Sequence, residues 1–176
     1  MKKGLVHIYT GNGKGKTTAA IGLGIRAYGR GFRVLMAQFL KGAETGELNT
    51  VQKLEPGFEI RRGRAAGKFI FNMSEEEIAR LKDSMRELFF GAAREAAGGK
   101  WDMLILDEIM GCVAEGLITA GEVCDLIKDK PESLEIVMTG RNAPAELTEL
   151  ADYVSEIMEI KHPFKKGVPA RKGVEF

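Results

Sequence analysis

The chain has 176 residues and a mass of 19.3 kDa, enough for one domain that buries roughly 70% of its unfolded surface and needs no disulfide or metal staple. Lys and Arg total 26 against 25 Asp and Glu, a formal net charge of +1, which gives no support to a protein that coats nucleic acid. A hydrophobic share of 44% and a charged share of 29% exclude a disordered chain, and no apolar run approaches the ~20 residues of a membrane helix.

The N-terminal Lys2-Lys3 pair precedes an apolar stretch interrupted by His7 and ended by Gly11, too short for a secretory signal. Cys112 and Cys124 belong to no CxxC or Cys/His cluster and read as reduced thiols of a cytoplasmic protein. Glycine is over-represented at 22 residues, which suggests backbone held close to a ligand or to packed neighbours.

In chain order, residues 5–10 predict a short strand that stops at glycines. Residues 16–28 predict a helix containing Gly22 and Gly24, each costing ~1 kcal/mol against alanine, which close packing on a sheet would explain. Residues 32–39 read as a strand covered on both faces, and 58–61 as a weaker strand. Ser74 and Glu77 form a capping-box pair ahead of a long helix with the stripe Ile78, Leu81, Met85, Leu88, Phe89, Ala92 and Ala96, ended by Gly98-Gly99. Residues 103–106 read as a buried strand leading into Asp107-Glu108. Thr119 and Glu122 mark a second capping box and a helix that ends before Pro131. Residues 134–138 predict a fifth strand, Pro144 a helix start and residues 153–160 a sixth strand. Residues 161–176 form a basic tail without period. Alternating strands and helices predict a single α/β domain over residues 1–176 built on a parallel sheet, with ligands at the carboxyl ends of the strands.

Thr10-Gly11-Asn12-Gly13-Lys14-Gly15-Lys16-Thr17-Thr18 joins the first strand to the first helix. Such a glycine-rich turn lets backbone N–H groups cradle phosphate oxygens at a helix N-terminus. Lys16, expected to be exposed there, reaches the terminal phosphates, and the Thr17 hydroxyl ligates Mg²⁺. The general pattern is G-x-x-x-x-G-K-[ST]; Thr10 replaces its first glycine, so the loop is one residue shorter. Lys14 is open between phosphate contact and solvation. Asp107-Glu108 follows a strand as a Walker B acid does and supports Mg²⁺, the alternative being an acidic helix start; which acid coordinates is open. Arg141, at the end of the fifth strand, reads equally as a phosphate contact or a surface arginine. His7 and Trp101 read as structural.

Gly11 to Ala20, Gln38-Phe39-Leu40-Lys41-Gly42, Trp101-Asp102 through Asp107-Glu108, Thr139-Gly140-Arg141, Lys161-His162-Pro163-Phe164, Gly167-Val168 and Arg171-Lys172-Gly173 together resemble, in order, the P-loop ATP:corrinoid adenosyltransferase family. The resemblance covers nearly the whole chain. It implies a P-loop NTPase-like (RecA-like), mainly parallel sheet with helices on both faces. It also implies transfer of the 5′-deoxyadenosyl group of ATP to the Co(I) of a reduced corrinoid, with release of tripolyphosphate. ATP would bind reversed in the loop relative to ordinary P-loop proteins, and the implied cofactors are ATP and Mg²⁺. The implied partners are the corrinoid, a separate cobalt-reducing protein such as a flavoprotein, and a second copy in a homodimer. Co(I) is itself the nucleophile, so Lys16, Thr17 and Glu108 are expected to position and stabilise a polyanionic leaving group.

Residues 62–71 lack the Trp that many relatives carry there. Residues 63–73 are expected to form a mobile loop over the corrinoid with Phe69 and Phe71 on the macrocycle and Arg62, Arg64 and Lys68 toward its acidic groups. The alternative is that Phe69, Ile70 and Phe71 staple the following helix to the core. Two rival functions use the same phosphate loop: a small-molecule kinase, which releases ADP, and an ATP-dependent regulatory switch with slow turnover.

Overall fold

A computed structural model describes residues 3–64 and 70–175. Strands β1 (Val6–Thr10), β2 (Val34–Gln38), β3 (Phe58–Arg62), β4 (Met103–Asp107), β5 (Glu135–Thr139) and β6 (Tyr153–Glu156) form one sheet in the order β3-β2-β4-β5-β1-β6, with every neighbouring pair parallel. Every residue of β2 and β4 is buried, as unbroken apolar runs in a doubly covered parallel sheet require.

Successive side chains point to opposite faces and so build two cores. Leu35, Ala37, Leu104, Leu106, Ile136 and Met138 pack beneath α3 (Glu75–Ala97), α4 (Ile109–Ala114), α5 (Ala120–Asp129) and α6 (Ala145–Leu150). Val34, Met36, Met103, Ile105 and Val137 pack beneath α1 (Lys16–Tyr28) and α2 (Gly46–Val51). Both capping boxes form: Ser74 with Glu77, and Thr119 with Glu122. Arg86 on α3 reaches Glu122 on α5 at 2.6 Å, and Arg61 on β3 grips Glu95 on α3. These arginines hold the carboxyls of Glu122 and Glu95 down to about 2.

Gly24 meets the expectation of close packing, because a Cβ there would lie 2.9 Å from the Phe58 ring and 3.0 Å from Ile105 Cδ1. Gly22 does not: it is exposed, and a Cβ there would meet nothing within 4 Å. The strands also differ at their edges. Phe32 N–H still bonds back to Ala27 C=O, so β2 starts at Val34. β6 stops at Glu156 rather than residue 160, because its partner β1 ends at Thr10 and the chain beyond bonds to the phosphate loop instead. Helices α2 and α4, six residues each, are too short to register as a helical period.

His7 bonds to Glu135 Oε1 at 2.5 Å and stacks on Tyr153, and buried Trp101 donates to Glu95; both are structural, as expected. Cys112 and Cys124 are free and buried, and burial pushes the Cys112 thiol up to about 12. No described helix is long and apolar enough to cross a membrane.

Candidate active site

The carboxyl ends of β1, β2, β4 and β5 converge on a cleft of about 1010 Å³ lined by Asn12 to Thr18, Lys41, Glu108, Arg141 and the tail residues Gly173 to Glu175. Ligands of open parallel sheets bind at this edge.

The loop between β1 and α1 owes its glycines to two causes. A Cβ on Gly11 would lie 2.5 Å from Ile157 O, and one on Gly13 2.7 Å from Ile157 O and Met158 O, so the chain after β6 leaves no room for a side chain. Gly15 meets nothing within 4 Å but has φ +123°, which L side chains rarely adopt. The Gly13 N–H is already spent on Ile157 O at 2.7 Å, so in this conformation it is not one of the donors open to phosphate. Asn12, Lys14 and Thr18 are exposed on the cleft wall. Lys14 lies 3.9 Å from the Glu175 carboxylate, which brings the C-terminal tail over the loop.

Lys16 is only 7% exposed, contrary to the expectation of an open side chain. Its ammonium donates to Gly11 O at 2.7 Å and Gly13 O at 2.9 Å, because the turn aims its own carbonyls at the nearest cation. Burial lowers its pKa from the usual lysine value, while Glu108 pulls it back up.

Asp107, fully buried at the end of β4, is the hub. Its Oδ1 accepts from Thr17 Oγ1 at 2.8 Å and Thr139 Oγ1 at 2.7 Å, and its Oδ2 accepts from Gln38 Nε2 at 3.3 Å and Lys41 Nζ at 2.8 Å. Lys41 Nζ also lies 3.4 Å from Thr17 Oγ1. The pairing of Thr17 with Asp107 suits Mg²⁺, which takes one or two carboxylates and leaves the remaining positions to water and phosphate. A cation, the Lys41 ammonium, already stands against both oxygens. No cluster of three His, Cys, Asp or Glu occurs among the described residues, so a metal held wholly by such side chains is not built here.

Glu108 follows in a left-handed conformation at φ 63°, and its N–H donates to Thr139 Oγ1. Burial and the adjacent Asp107 push its carboxyl above the usual range, against Lys41, Lys16 and Arg141. Arg141 is exposed on the same cleft. Sequence reasoning placed Thr17, Asp107, Glu108 and Arg141 at this edge. It assigned no role to Lys41, Gln38, Thr139 or the tail, although the first three lie inside the quoted motifs.

A second cleft of about 1050 Å³ lies between the end of β3 and α3, lined by Arg61, Arg62, Arg64 and Arg80 among others. Arg62 is a strut rather than an open cation: it donates to Gln38 Oε1, Ala43 O and Thr45 Oγ1, each at 2.7 Å. Ala43 and Thr45 line the first cleft, so the Arg62 guanidinium stands where the rims of the two clefts meet. Ile70 and Met73 pack against the core, whereas Phe71, on a short 3-10 turn (Ile70–Asn72), is 81% exposed. Ile70 thus packs as the stapling alternative expects. Phe69 and Lys68 lie outside the described residues.

A parallel sheet carrying a phosphate loop, a Thr and a Walker B acid at one edge defines a P-loop nucleotide-binding α/β protein. The same architecture occurs in the flagellar accessory protein FlaH of Methanocaldococcus jannaschii, with a TM-score of 0.57 and 12% identity over 89% of this chain and 72% of that one. Residues 2–176 match the family model of ATP:corrinoid adenosyltransferase BtuR/CobO/CobP. The corrinoid adenosyltransferase of Escherichia coli (strain K12) is 35% identical over 99% of this chain and 87% of its own length. Corrinoid adenosyltransferase CobA of Salmonella typhimurium is 32% identical over 99% and 87%. The chain belongs to the ATP:corrinoid adenosyltransferase family, and its reaction is the ATP-dependent adenosylation of a corrinoid.

Proposed function

We propose that the first cleft seats the polyphosphate of ATP on residues 11–18 and that the second receives the corrinoid, with Phe71 against its macrocycle. The cobalt(I) lone pair of the substrate forms the bond to C5′ of ATP. The C5′–O bond breaks, and its electron pair leaves with tripolyphosphate. The observation that carries this reading is the phosphate loop and the Thr17–Asp107 pair at the edge of the first cleft. Thr17 and Thr139 each donate a hydrogen bond to Asp107 Oδ1, which ties the loop to the ends of β4 and β5.

Lys16 and Arg141 neutralise charge on the leaving phosphates, and the N–H groups of Asn12, Lys14 and Gly15 add fixed dipoles. Thr17 and Asp107 would hold Mg²⁺, with Glu108 beside them, and the metal would supply neutralisation of phosphate charge. Following the family, the protein works as a homodimer and takes its cobalt(I) from a separate flavoprotein reductant.

The test incubates the protein with ATP, Mg²⁺ and chemically reduced cobalamin and identifies the phosphate product. Tripolyphosphate is expected in equal amount to adenosylcobalamin, and cob(II)alamin should give neither until a reductant is added. Release of ADP would make the protein a kinase instead.

A further inference from the structure

Lys41 carries none of the roles assigned above, yet its ammonium is the sole cation bonded to the buried Asp107 carboxylate among the described residues. We propose that Lys41 is a resident counter-ion: it occupies the metal position of the nucleotide-free protein and gives it up when Mg²⁺ arrives with ATP. The inference rests on the assignment of Thr17 and Asp107 to the metal.

Three observations carry it. First, the ammonium uses the oxygens that a metal would use. It stands 2.8 Å from Asp107 Oδ2 and 3.4 Å from Thr17 Oγ1, and because Thr17 gives its proton to Asp107 Oδ1, the lone pair facing Lys41 is the one a metal would take. Second, Asp107 is fully buried, and a buried carboxylate left without a cation is strongly destabilising. Some positive charge must therefore be present before the metal is, and Lys41 supplies it. Third, the backbone is bent to deliver this side chain. Leu40 sits at φ 56°, a conformation rare for a bulky residue and one that clusters at functional sites. The Leu40 side chain packs against the core, while Lys41 turns back from the end of β2 toward β4.

The Lys41 side chain is 22% exposed and lines the phosphate cleft, so it can leave Asp107 without leaving the site. Metal alone has to displace an ammonium that has nowhere better to go. Metal arriving with ATP displaces it onto phosphate oxygens. Lys41 therefore makes metal binding conditional on nucleotide, a reciprocal coupling of the two ligands.

The test is Mn²⁺ binding to the nucleotide-free protein, read by electron paramagnetic resonance of the free ion. Lys41→Met should bind Mn²⁺ about tenfold or more tighter than wild type, and Lys41→Arg should stay with wild type. Lys41→Met should also melt lower than wild type without metal and recover as Mn²⁺ is added. Lys41→Gln makes the same comparison if the Met variant fails to fold. Equal Mn²⁺ affinity in wild type and both neutral variants overturns the exchange, and so does a gain that survives Asp107→Asn in the Lys41→Met background. The metal assignment itself is checked by wild type against Asp107→Asn with Mn·ATP. Unchanged binding there overturns that assignment and the exchange with it, whereas a loss there with unchanged Lys41→Met overturns the exchange alone.

Discussion

Phe71 shows how far single residues were legible. Three bulky side chains ahead of a helix cap, Phe69, Ile70 and Phe71, suggest either a ligand cover or a hydrophobic staple, and the sequence does not separate them. Ile70 packs on the core and Phe71 is 81% exposed. Phe71→Ala is accordingly expected to raise the KM for corrinoid several-fold while leaving melting temperature and the KM for ATP unchanged. A loss of ~3–5 kcal/mol, typical of a core Phe→Ala change, would return Phe71 to the staple. That Thr17 and Asp107 meet at one sheet edge was legible because each follows a strand end. Lys41 was not, because its role depends on the left-handed turn at Leu40, and no local pattern announces a leucine in that conformation. The burial of Lys16 was missed for a related reason: its ammonium folds onto the carbonyls of Gly11 and Gly13, a contact internal to the motif.

Helix α1 carries a paired prediction at the next scale. Gly24 faces Phe58 and Ile105 at less than an ordinary carbon contact, while Gly22 faces nothing within 4 Å. Gly24→Ala should cost ~1–3 kcal/mol through overpacking, and Gly22→Ala should gain up to ~1 kcal/mol from helix propensity, both read by urea denaturation. Equal effects would mean that α1 does not sit on the sheet as described. Strands β2 and β4 and helices α3 and α5 were readable because apolar runs and capping boxes are local signals. Helices α2 and α4 were not, since each forms in six residues only where the ends of β2 and β4 leave the sheet. The length of β6 was likewise set elsewhere, by where β1 stops.

For the whole molecule, the homodimer proposed from the family predicts sedimentation at twice the 19.3 kDa chain mass at micromolar concentration. A species at the chain mass alone would remove the second copy from the proposal. The parallel sheet and its doubly covered faces were legible from the alternation of strand and helix patterns, but the strand order was not, because parallel neighbours are joined by long crossovers and need not be adjacent in sequence. That order has a consequence for how the protein is made. β1 pairs only with β5 and β6, and the backbone of Leu5 at its entrance bonds to Glu135, 130 residues away. A ribosome therefore releases the strand that feeds the phosphate loop long before either of its neighbours. Until β5 and β6 emerge, the nascent chain carries the glycine-rich loop without the two strands that flank its base.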